Sequence, residues 1–266
     1  MLRLPNDSQL FGAVQHQTHN TSSPRDYFSA THWSVVINAG NSQSPRHESA
    51  LEELCRRYWF PLYAYARHGG TAHADAEDLV QSFFLDFLKE NYLQGLDSKN
   101  GRFRAFLLTC FKNHSRNEWK RAGRQKRGGG AEHRPFDWVT ADEFDWVTAD
   151  EKFQSLMAAG TPERMYDRAW AVTLLEQVLA QLGQEMQAKG KRELFEVLKP
   201  GLTFDGDDFS YRTATNRLKL SEEALRQRAK RMRERLQELI RHEILKTCDP
   251  AEFEEEKRSL LNAFSD

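Results

Sequence analysis

The sequence predicts an all-α protein of two small helical domains joined by an acidic linker. Two stretches carry apolar residues at spacings of three and four, as amphipathic helices do. Nothing between them alternates as a half-buried strand would. A Gly-rich and then acidic segment separates the two stretches, and 266 residues suffice for two modest domains. With 39% hydrophobic and 29% charged residues the chain is polar but keeps enough Leu, Phe and Trp to build cores.

Residues 1–27 are polar and aperiodic and are expected to form a disordered N-terminal tail, with order beginning near Phe28. The first domain is expected over residues 28–127. His32 to Val36 opens it, and Ala50, Leu51, Leu54, Tyr58 and Leu62 mark a helix that Pro61 should interrupt or bend. Gly69-Gly70 reads as a turn, and Asp75 as the cap of the next helix, with Asp78 inside its first turn. Ala76, Leu79, Val80, Phe83, Phe84, Phe87 and Leu88 give that helix a wide apolar stripe. A further helix is expected from Phe103 to Arg121, with Phe103, Phe106, Leu107, Cys110 and Phe111 inward.

Gly128-Gly129-Gly130 ends the first domain and begins a flexible acidic linker over residues 128–161. It contains an exact tandem repeat, Phe136 to Glu143 followed by Phe144 to Glu151. Two short copies do not make a solenoid. The segment reads either as a solvated spacer or as an acidic, aromatic strip that imitates nucleic acid in a positively charged channel.

The second domain is expected over residues 162–248. Its first helix starts near Pro162, with Met165, Ala169, Val172, Leu175, Val178, Leu179 and Leu182 on the apolar side. A short helix from Lys191 to Leu198 is closed by Pro200-Gly201, and Asp205 to Asp208 form a turn. Tyr211 to Leu218 and Glu222 to Leu245 are two strong helices separated by Lys219-Leu220-Ser221. Asp249-Pro250 breaks the last helix, and residues 249–266 are an acidic amphipathic tail with Phe253, Leu260, Leu261 and Phe264 that packs on the last domain or regulates it.

The formal net charge of −1 hides segregation. From Arg102 to Arg127 the basic residues Arg102, Arg104, Lys112, Arg116, Lys120, Arg121, Arg124, Lys126 and Arg127 face a single acid, Glu118. Such a patch binds phosphates and releases counterions without reading sequence. Asn113, Asn117 and Trp119 lie among these charges. An aromatic ring can stack on an unpaired base and an Asn can bond to its edge, which suits single-stranded DNA. Packing in the core is the other reading of Trp119.

The second basic window has the spacing of a helix-turn-helix, whose second helix enters the major groove. Ser221 is placed to cap that helix, and Glu222, Glu223, Arg226, Gln227, Lys230 and Arg231 lie on or near the DNA-facing side. Leu220, Leu225, Met232, Leu236 and Leu239 supply the core side.

No enzyme class fits. His68, His73, Asp75, Glu77 and Asp78 cluster in sequence, but no two histidines share a helical face as metal hydrolases require. No phosphate-binding Gly loop or nucleophile elbow is present. Cys55, Cys110 and Cys248 have no metal-type spacing and read as reduced thiols, so no catalytic residue, metal or cofactor is expected. With no long apolar run or apolar leader, a cytoplasmic protein without membrane partner is expected.

Two stretches resemble a known family. One runs from Tyr58-Trp59-Phe60-Pro61-Leu62 through Asp75-Ala76-Glu77-Asp78-Leu79-Val80-Gln81-Ser82-Phe83-Phe84 to Gly101-Arg102-Phe103-Arg104-Ala105-Phe106-Leu107-Leu108-Thr109 and Asn113. The other runs from Phe209-Ser210-Tyr211-Arg212 through Leu218-Lys219-Leu220-Ser221-Glu222 to Arg235-Leu236. They are similar to the extracytoplasmic-function sigma factors of the sigma-70 family, in a divergent branch with a long linker. The resemblance implies a non-catalytic subunit that directs bacterial core RNA polymerase to promoters and aids melting.

It further implies a region 2-like bundle and a region 4-like helix-turn-helix. Asp78, Gln81 and Phe84 match positions that dock on the polymerase clamp, and the second domain would meet the flap. Asn113, Arg116, Asn117, Trp119, Lys120 and Arg121 match the part that captures the melted minus-10 strand, while Ser221 to Arg231 would meet minus-35 duplex. The linker would thread toward the RNA exit path, and an anti-sigma factor is compatible with the family. The sequence departs from it at Thr215, where a small Ala is usual, at Lys219, where a Gly turns the chain, and at Asn117, where an Asp is frequent. A stand-alone helix-turn-helix regulator is the alternative from another class.

Overall fold

Periodic apolar residues bury one face of each helix, and the computed structural model is helical wherever that period is strong. It describes residues 33–89, 92–94, 96, 101–125, 146–157, 159–203 and 210–264. The N-terminal tail, Gly128 to Gly130, the first repeat copy and the Asp205 to Asp208 turn lie outside these residues. Among the described residues there is no strand, and the fold is all-α.

The described chain falls into two compact units, one of residues 33–173 with 245–253, the other of 174–244 with 254–264. The first is built on α1 (Ser34–Ala39), α2 (His47–His68), α3 (His73–Lys89) and α4 (Phe103–Gln125). Pro61 sits inside α2 without ending it. Its missing N–H costs the helix one backbone bond, and its buried neighbours Tyr58, Phe60, Leu62 and Tyr63 keep the segment packed. Helix α3 begins at His73, two residues before the expected cap, so Asp75 lies in the first turn and acts on the helix dipole instead.

The core of this unit is aromatic. Phe103 is fully buried and meets Trp33 and Tyr58 edge-on, at ring separations of 6.2 and 5.5 Å. Phe83 meets Phe111 at 5.2 Å and an interplanar angle of 89°. Such pairs each add about 0.5–1.5 kcal/mol beyond the area they bury. Gly40 is required by close approach, because a Cβ there would run into the Leu93 carbonyl.

Two helices from the linker and the start of the second domain pack in the first unit. The second repeat copy is not a spacer along its length: Trp146–Leu156 forms helix α5, with Ala149 and Phe153 buried against the first unit. The first half of α6 (Pro162–Ala188) also belongs to that unit, not to the second. Tyr166 donates its hydroxyl to the Arg104 carbonyl at 3.1 Å, and the Arg104 guanidinium lies 4.3 Å from the Trp170 ring centroid. After the long C-terminal helix the chain returns to the first unit, where Lys246 pairs with Glu53 at 3.1 Å.

The second unit comprises the rest of α6, α7 (Arg192–Leu198), α8 (Pro200–Thr203), α9 (Tyr211–Leu218) and α10 (Glu222–Leu245). Pro200-Gly201 opens a one-turn helix instead of closing the preceding one, in keeping with proline at a first helical position. The tail is also a helix, α11 (Phe253–Asn262). Asp249 caps the short turn before it, accepting the Ala251 N–H at 2.9 Å. Leu260 and Phe264 are buried in this unit, so the tail packs as part of the domain.

Candidate nucleic-acid interface

Helix α4 divides its residues between core and solvent by the helical period. Phe103, Leu107, Phe111 and Ser115 turn inward. Asn113, Arg116, Asn117, Trp119, Lys120 and Arg121 are exposed. Trp119 is not a buried core residue, because 61% of its surface is open to solvent. An exposed indole can offer a stacking surface to a planar ring.

Beside it lies an open pocket of about 120 Å³. Tyr65 and Gly69 of the α2 end, Phe111, Lys112, Ser115, Arg116 and Trp119 of α4, and Pro162 at the start of α6 contribute to its walls. Aromatic rings and the cations Lys112 and Arg116 meet around this space. The Lys112 ammonium sits 5.6 Å from the Tyr65 ring centroid and 2.6 Å from Glu163 Oε1. That contact holds the Glu163 carboxyl below its ordinary range.

The basic window is not uniformly available to phosphate. Arg104 is 6% exposed and paired with Asp167, so it is a packing residue. Arg121 pairs with Glu118 at 2.7 Å on the surface. Arg116 and Lys120 are exposed. The side chains of Arg124, Lys126 and Arg127 lie outside the described set.

Residues 54–125 match the family model of sigma-70 region 2. This segment is similar to sigma-70 region 2. The match starts inside α2 and ends at the last residue of α4, so it contains every pocket residue except Pro162. No curated protein and no solved structure matches the chain.

Within region 2, α3 presents Asp78 to solvent and leaves Gln81 half-buried. Phe84 is 3% exposed and packs with Phe83, so it supports the surface from beneath instead of forming it. Near position 75, His73 bridges Tyr63 and Glu77. His73 meets the Tyr63 hydroxyl at 2.6 Å through Nδ1 and Glu77 at 2.9 Å through Nε2.

Region 2 also receives helix α5. Arg67 donates to Asp150 Oδ1 from Nε at 3.0 Å and from Nη2 at 2.7 Å, and Tyr63 donates to the same oxygen at 3.1 Å. The Arg67 guanidinium lies 5.3 Å from the Phe153 ring centroid, and Lys152 lies 4.3 Å from that of Phe60. Hydrogen bonding from Arg67 holds the Asp150 carboxyl below its usual range. Sequence reasoning missed this contact, as it missed Tyr65 and Pro162 in the pocket.

The second unit holds the other sequence-derived site. Helices α9 and α10 meet across Lys219-Leu220-Ser221, with Lys219 left-handed at φ 51° and ψ 39°. Ser221 Oγ accepts the Ala224 N–H at 3.2 Å and so caps α10. Glu222, Glu223, Arg226, Gln227, Lys230 and Arg231 are exposed together, while Leu225, Met232, Leu236 and Leu239 are buried. Arg226 is held by Glu222 at 2.6 Å and lies over the Tyr211 ring at 4.7 Å. Arg233 donates to the Gly201 carbonyl, and Arg235 pairs with Glu185, so these two cations serve the domain itself.

Proposed function

We propose that this chain is a sigma factor of the extracytoplasmic-function type that directs bacterial core RNA polymerase to specific promoters and aids their melting. It does no chemistry of its own and acts in the cytoplasm. The observation that carries the reading is the pocket beside exposed Trp119, on a segment that matches sigma-70 region 2. In this reading an unstacked base of the minus-10 strand stacks against Trp119, Asn113 and Asn117 meet base edges, and Arg116, Lys120 and Arg121 meet phosphate. Unstacking a base costs a few kcal/mol, which stacking and two or three hydrogen bonds can balance.

Asp78 and Gln81, backed by Phe84, form the clamp-docking surface in the same reading. The second unit meets the flap and reads minus-35 duplex through Ser221, Glu222, Glu223, Arg226, Gln227, Lys230 and Arg231. The capped, outward-facing α10 supports that assignment. Permanganate reactivity of promoter thymines tests the melting role. Holoenzyme with the native chain should expose minus-10 thymines, and Trp119→Ala and Asn113→Ala should lose that reactivity while still binding core. Equal loss of core binding and melting would count against the assignment.

A further inference from the structure

The pocket wall contributed by α6 carries an acid where a strand would bring one. Glu163 lies in the first turn of α6, next to Pro162 on the pocket wall, and its carboxylate is 2.6 Å from the Lys112 ammonium. Lys112 also faces the Tyr65 ring within the same pocket. The pair is open to exchange, since the side chains of Lys112 and Glu163 are 30% and 47% exposed. The neighbouring Arg104–Asp167 pair differs, with Arg104 only 8% exposed and covered by Trp170.

We infer that Glu163 occupies on Lys112 the place of a nucleic-acid phosphate, so that a single DNA strand enters region 2 by displacing this carboxylate. The inference rests on the strand-capture reading of the pocket and adds a competitor within the chain. An ammonium at a pocket rim with a stacking ring on one side satisfies a carboxylate and a phosphodiester by the same charge-assisted bond. The phosphodiester wins only when a base stacks at the same time, because an exposed ion pair alone is worth little. Glu163 thus disfavours phosphate backbone that brings no unpaired base.

The test is a fluorescence-anisotropy titration of the full chain with a labelled single-stranded oligodeoxynucleotide at low salt. Glu163→Gln should tighten binding about two- to fivefold, the worth of an exposed ion pair. It should also steepen the dependence of log affinity on log salt by up to about 0.7, one more phosphate contact on a single strand. Glu52→Gln removes an equal charge from the surface pair with Arg56 and serves as the control for net charge. In a Lys112→Met background, Glu163→Gln should give no gain. An equal gain from Glu52→Gln, or a gain that persists without Lys112, would overturn the inference and leave strand capture standing. Absence of strand binding by every form would overturn both.

Discussion

Lys219 is a β-carbon-bearing residue held at φ 51° in the turn between α9 and α10. Left-handed backbone costs an L residue about 1–2 kcal/mol, a cost that glycine escapes. Lys219→Gly should therefore stabilise the second unit by about 1 kcal/mol, less the entropy glycine restores to the unfolded chain. Thermal unfolding would show a raised midpoint, and a lowered one would mean that the lysine side chain compensates locally. Trp119 gives a second prediction at this scale. Because its ring is mostly exposed, Trp119→Ala should alter stability by no more than about 0.5 kcal/mol. It should nevertheless weaken single-strand binding by about 1–3 kcal/mol. Indole periodicity alone left stacking and packing open, because the helix drifts over its last turns and either face was compatible with the sequence. Asn113, Arg116 and Lys120 were legible as a surface, since their spacing opposes Phe103, Leu107 and Phe111.

Helices α2, α3, α4 and α10 were legible in the sequence, because each has a continuous apolar stripe that a helix buries. Helix α5 was not. Its docking partners Tyr63 and Arg67 precede Asp150 by more than eighty positions, a separation no local pattern reveals. The repeat also hid the difference between its copies: Phe153 follows Asp150 at three residues, whereas Asp145 stands at that spacing after Asp142. Asp150→Asn should loosen α5, at a cost of about 1 kcal/mol for a partly exposed charged hydrogen bond. Amide exchange of Ala149 to Ser155 should quicken while that of the α2–α4 core stays slow. Acid should do the same. Since the Asp150 carboxyl is held below its usual range, its contribution is complete above the ordinary carboxylate pKa near 4 and is lost as pH falls through the lowered folded value. Exchange that is insensitive to both the substitution and acid would show that Phe153 and Ala149 alone hold the helix.

At the scale of the molecule, composition pointed to two helical domains, and the compact units divide within α6. The helix expected from Pro162 starts there, and its first half buries Met165, Tyr166, Ala169 and Trp170 in the first unit. Arg104 is part of that packing. Counted among phosphate-binding cations on sequence grounds, it is instead the buried centre of a contact with Asp167 and Trp170. The family match confines itself to region 2, so the second unit rests on its capped helix pair and exposed basic face. Run-off transcription with cognate core RNA polymerase on genomic fragments tests both units at once. Addition of the native chain should yield discrete transcripts with defined starts that Trp119→Ala abolishes without releasing core. No transcript above core alone, together with no complex between chain and core on gel filtration, would contradict the account.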